Sequence, residues 1–106
     1  MNKLAISMLV GTILCGSAWA ADIEAGKAKA VTCAACHNTN GISSIPMYPN
    51  LAGQKEEYIY NSLKAFKSKE RTGNNAAIMW GLAAPLSDDD MKNLAAYFSS
   101  LDPSGK

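Results

Sequence analysis

An all-α fold is predicted for this 106-residue chain by two observations. Apolar residues recur at helical spacing in two stretches, Tyr58, Ile59, Leu63 and Phe66 in one and Met91, Leu94, Ala95 and Phe98 in the other. No short apolar run alternates for the length of a strand, and these runs are rich in Ala and Leu rather than in β-branched residues. Three to five short helices, joined by loops carrying Gly, Pro and Asn, follow from that pattern.

The first twenty residues stand apart from the fold. Lys3 supplies a positive start, Leu4 to Leu14 an apolar run, and Ala18-Trp19-Ala20 a small-x-small cleavage site before Ala21, so residues 1–20 read as a secretory signal peptide and 21–106 as a single domain. The run is about 11 residues long against roughly 20 for a bilayer span. Cys15 would leave with it, and Leu14 occupies the position where a lipid-anchor signal needs a small residue. The remaining segment carries nine basic and nine acidic side chains, which excludes a broadly basic nucleic-acid binder.

Asp22 can cap a first helix reaching about Thr32. Gly26 in its middle is either a tolerated loss of propensity or a point where another helix approaches closely. Asn38 to Gln54 lacks sustained periodicity and contains Pro46, Pro49 and Gly53, the pattern of a structured loop. A second helix is predicted over Lys55 to Lys69, a short one around Ala76 to Trp80, and a last one behind the cap Ser87, with Asp88 to Asp90 favouring its N-terminus. A domain of this size buries a modest core, so an additional buried body would help to stabilise it.

Cys33-Ala34-Ala35-Cys36-His37 is a C-x-x-C-H segment, the pattern of covalent haem c attachment. Two thiols three positions apart can add to the two vinyl groups on one haem edge, and the adjacent imidazole can reach the iron. A structural zinc site would need ligands that residues 21–106 do not offer beyond Cys33, Cys36 and His37. A thioredoxin-type dithiol would need a preceding strand, and a plain disulfide is chemically open in an oxidising compartment. Export together with this motif favours haem.

With no second histidine after residue 20, methionine is the candidate for the other axial position, a soft ligand that raises the potential. Met91 sits on the apolar stripe of the last helix, and Met47 follows His37 by only ten residues. Met79, 42 residues beyond His37 and across the second helix, is the favoured ligand, with a packing role as its alternative. The Pro49 carbonyl can accept the other ring N–H of His37, or Pro49 can simply restrain the loop. Trp80, Asn74 and Asn75 are weaker candidates for contact with haem propionates.

These motifs, together with Pro49-Asn50-Leu51-Ala52-Gly53, Leu86-Ser87-Asp88-Asp89-Asp90-Met91 and Leu94-Ala95-Ala96-Tyr97-Phe98, resemble the small bacterial branch of class I cytochromes c, close to one domain of its dihaem members. The resemblance implies a cytochrome c-like fold around one covalently attached haem c, with Gly26 crossing the last helix near Tyr97. It implies His37 and Met79 as axial ligands and the Pro49 carbonyl behind His37. The function implied is a periplasmic, monomeric one-electron carrier that meets a redox-protein donor and acceptor, such as a terminal oxidase or another periplasmic oxidoreductase. Two other readings are an electron-input subunit held by a larger oxidoreductase and a gas-binding haem protein. Lys27, Lys29, Lys55, Lys64, Lys67 and Lys69 are candidates for steering partners, set against ordinary solubility.

Overall fold

The computed structural model describes residues 21–106 and Gly11; apart from Gly11, the proposed signal peptide lies outside the described residues. Five α-helices follow in order: α1 (Ile23–Lys29), α2 (Ala34–His37), α3 (Glu56–Lys67), α4 (Ala76–Ala83) and α5 (Asp88–Ser100). No strand occurs among the described residues, and none of their helices is long and apolar enough to cross a membrane.

The first helix departs from its predicted span. Asp22 caps it, accepting from the Ala25 amide at 3.1 Å, but α-helical bonding stops at Lys29 and a 3₁₀ turn, Ala30–Thr32, follows. There the Thr32 hydroxyl donates to the Lys29 carbonyl, and the Cys33 amide bonds three residues back to Ala30 at 2.9 Å. That tightening separates α1 from α2, the four-residue turn that carries His37. Helix α3 ends at Lys67 with Ser68 as its C-cap, and Lys69 takes φ +61°, a left-handed exit more often given to glycine. Helix α4 runs past Gly81 to Ala83: a Cβ at Gly81 would meet nothing within 4 Å, and buried Ala76 and Ala83 hold the helix in place.

Helix α5 is the central element. Ser87 accepts from the Asp90 amide at 3.0 Å while the Asp90 carboxylate accepts from the Ser87 amide at 2.9 Å, a reciprocal cap. Its Met91, Leu94, Ala95, Tyr97 and Phe98 form the core with Ile59 and Leu63 of α3, joined by Ala30, Ala83 and Leu86. Helix α1 crosses its other side at Gly26. A Cβ there would fall 2.0 Å from the Asn93 carbonyl oxygen and 2.9 Å from Tyr97 Cβ, so only glycine permits this approach. The Asn93 side chain also accepts from the Asp22 amide at 2.9 Å.

The long loop between α2 and α3 is ordered by its own bonds. Asn38, at φ +59°, donates through its side chain to the Ile42 carbonyl at 2.7 Å, and the Gly41 carbonyl accepts from Leu51 and Ala52. Tyr97 donates to the Thr39 carbonyl at 2.8 Å and the Gly53 amide to Phe98 at 3.0 Å, tying both ends of the loop to α5.

Gly26→Ala is expected to destabilise the haem-loaded protein by about 2 kcal/mol, the overpacking cost outweighing the gain in helix propensity. An unchanged or raised urea midpoint would count against the helix crossing. The Ser87 amide, with Lys29 at 3.3 Å, holds the Asp90 carboxyl below its ordinary value. A lowered folded-state pKa stabilises above the unfolded value and is lost as pH falls through the folded one. The stability gap between wild type and Asp90→Ala should therefore narrow as pH drops from roughly 6 to 3; a gap constant over that range would refute the assignment.

Candidate functional site

Helix α2 is brief because its purpose is placement. Cys33 precedes it and Cys36 and His37 close it, so the three side chains emerge together on one wall of a cavity of about 360 Å³. Leu94 and Phe98 of α5 and Ile59, Leu63 and Phe66 of α3 supply apolar walls, and Met79 approaches from α4. Met47, Tyr58, Ile78 and Leu82 line the same cavity yet are exposed, Met47 to 62%.

His37 is 6% exposed, and its Nδ1 lies 2.8 Å from the Pro49 carbonyl oxygen. A carbonyl only accepts, so Nδ1 carries the proton and donates, which leaves the Nε2 lone pair available on a side chain that borders the cavity. The Tyr48 ring stands 6.3 Å away, tilted by 56°. The Pro49 carbonyl thus does more than shape the loop: it fixes the tautomer and the pivot of the imidazole.

Both thiols are free and half-buried. Burial raises the pKa of Cys33, a nearby Cys36 adds to this, and the Thr32 hydroxyl partly offsets it. A thiol kept protonated lacks the lowered pKa of a redox-active dithiol. Among the described residues no three His, Cys, Asp or Glu side chains converge on a metal-ion site, which counts against structural zinc.

All five residues singled out from the sequence, Cys33, Cys36, His37, Pro49 and Met79, border this one cavity. Met91 does not; it is a core residue at 4% exposure. Met47 does, from the same loop as Pro49. Asn74 and Asn75 also line the cavity, whereas the Trp80 indole N–H is spent on the Arg71 carbonyl at 2.8 Å. Gln54, Ser62, Arg71 and Thr72 complete the polar lining, and no motif marked them in advance. A haem suits this set: two thiols, one imidazole nitrogen left free and a thioether face a void with aliphatic and aromatic walls, whose exposed apolar rim a large planar body would cover.

The cytochrome c family profile matches residues 23–102. Cytochrome c-554(548) of Halomonas halodenitrificans is 48% identical over 81 residues, which cover 76% of this chain and 98% of that protein. Cytochrome c4 of Stutzerimonas stutzeri is 42% identical over 107 residues, 94% of this chain and 51% of its own length. The crystal structure of reduced recombinant cytochrome c4 from Pseudomonas stutzeri superposes with a TM-score of 0.71 at 42% identity, over 78% of this chain and 47% of that one. The chain therefore spans about half the length of its cytochrome c4 relatives.

Fold, cavity and similarity agree that the chain belongs to the cytochrome c family. It is an electron-carrying cytochrome c of the periplasmic kind rather than a catalyst, and Cys33 and Cys36 are its points of covalent haem attachment. The Cys33→Ala/Cys36→Ala chain is expected to carry no covalent haem. Its mass under denaturing conditions should be that of the polypeptide alone, and retention of the haem mass would disprove the attachment.

Proposed function

We propose that the mature protein, residues 21–106 after removal of an export signal at 1–20, is a single-domain shuttle that carries one electron between periplasmic redox proteins, with His37 and Met79 as axial ligands. The observation that carries this reading is the imidazole held at Nδ1 by the Pro49 carbonyl, its Nε2 left free beside a cavity that Met79 also borders. Met47 belongs to the loop that carries Pro49, whereas Met79 comes from α4, packed against α3.

When bound, haem supplies the one-electron couple; the chain determines its setting. His37 would hold the haem through Nε2, and its bond to Pro49 keeps the ring from turning. The Met79 thioether would supply a second, soft ligand, of the kind that favours reduced iron. Leu94, Phe98, Ile59 and Leu63 wall the cavity and would keep water away from a bound haem.

Four of the six lysines proposed to steer partners divide into two groups. Lys29 pairs with Asp90 at 3.3 Å, and Lys67 donates to the Leu86 carbonyl between α4 and α5, so both serve the fold. Lys64 and Lys69 lie over the Tyr60 and Trp80 rings at 5.2 and 5.8 Å and keep their charge at the surface. Encounters with an acidic partner rest on that end of α3.

Carbon monoxide tests the ligand set. The reduced wild-type protein is expected to keep a low-spin visible spectrum under the gas, Met79→Ala to form an adduct promptly, and Met79→His to remain closed at a lower potential. Prompt binding by the wild type, or a Met79→Ala protein as inert as its parent, would overturn the assignment.

A further inference from the structure

Met79 is only as firm a ligand as the helix that carries it, and the middle of α4 has little of its own to hold it. The cap residue Asn75 makes no side-chain hydrogen bond to the helix, and the first turn carries no acidic residue. The buried residues of α4, Ala76 and Ala83, secure its two ends. Met79 and Trp80 between them are half-buried, and Gly81, directly after Trp80, weakens helix propensity at that point. Trp80 is the one residue of α4 whose side chain has an N–H or O–H to donate.

That donor is used. The indole N–H meets the Arg71 carbonyl at 2.8 Å, and the Arg71 amide donates to the Ala65 carbonyl of α3 at 3.1 Å. A tie of two bonds therefore runs from α3, through one residue of the connecting turn, to the residue beside Met79. The turn needs such a hold: Lys69 and Asn74, neither of them glycine, take φ +61° and +32°, with Gly73 at +93° between them, and backbone of this kind persists where its surroundings fix it. Lys69 Nζ lies 5.8 Å from the centre of the Trp80 ring and covers the indole. A half-buried indole can give its N–H to water, so packing alone does not call for this bond. We infer that Trp80 is the positioning residue of Met79: its bond to Arg71 fixes α4 against α3, and so sets how readily the thioether yields its place to another ligand. The inference rests on the reading of Met79 as an axial ligand and adds to it a residue that acts through Met79.

The consequence follows from a two-state equilibrium. A competing ligand binds only in the fraction of molecules whose Met79 has moved away, so its apparent affinity is scaled by that fraction. Loss of the Trp80 bond frees α4 to shift and enlarges the fraction by the net worth of one such bond, roughly three- to tenfold.

Imidazole, titrated into the purified ferric holoproteins and followed by the visible spectrum, reads that fraction. Trp80→Phe keeps an aromatic ring and removes the N–H, and it is expected to bind imidazole roughly three- to tenfold more tightly than wild type. Gly26→Ala, strained at the crossing of α1 and α5, should bind it as wild type does, because its strain lies away from α4. An unmoved affinity in Trp80→Phe would overturn the inference, and so would an equal gain in Gly26→Ala, which would make the effect one of overall stability. Should Trp80→Phe fail to fold, hydrogen exchange of the indole N–H in the wild-type ferric protein decides, because coupling between two events is reciprocal. Saturation with imidazole should speed that exchange by a similar factor, and an unchanged rate refutes the tie. Failure of the axial assignment would appear separately, as a Met79→Leu protein whose ferric spectrum keeps the thioether-to-iron charge-transfer band of the wild type.

Discussion

The hydrogen bond from His37 to the Pro49 carbonyl is the contact on which the rest of the site depends. Cys33 and Cys36 set where a haem edge is tethered, but a tether alone leaves the neighbouring imidazole free to rotate. A bond of 2.8 Å to a backbone oxygen removes that freedom and selects the tautomer. The acceptor is a main-chain atom, so its position follows from the course of the whole 38–54 loop. That loop is fixed in turn by Asn38, Gly41 and the two bonds that tie it to Tyr97 and Phe98.

Helix α5 transmits this order through the molecule. One side receives α1 at Gly26, which leads to Cys33 and Cys36; another packs on α3, whose Ile59, Leu63 and Phe66 wall the cavity. Leu94 and Phe98 belong to both the core and the cavity lining, so the hydrophobic packing of the fold and the apolar wall of the cavity rest on the same side chains. A small domain has few residues with which to build separate structures for the two tasks.

Much of this was legible in the sequence because it rests on local chemistry. The C-x-x-C-H segment, the Ser87 cap and the stripe from Met91 to Phe98 carry their meaning in adjacent or helically spaced residues. Gly26 announced a close approach but not the partner backbone, Asn93, which lies 67 residues away. The extent of α4 was underestimated because Gly81 weakens a helix only where propensity decides, and here burial of Ala76 and Ala83 prevails. Arg71 was silent: among the described residues it is the one permanently charged side chain on a cavity lining assembled from segments distant in sequence. The Pro49 carbonyl and Met79 were legible as candidates from order and chemistry; the shared cavity they border is a product of tertiary structure.

We propose Met79, rather than another methionine, as the partner of His37 in holding the haem. In the ferrous holoprotein a ligating methionine lies over the macrocycle, whose ring current displaces its methyl resonance far upfield. NMR of protein labelled at the methionine methyls, with each resonance assigned by single substitution to Leu, should show Met79 alone displaced and Met47 and Met91 near their ordinary positions. Displacement of Met47 or Met91 in its place, or of none, would contradict the site described above.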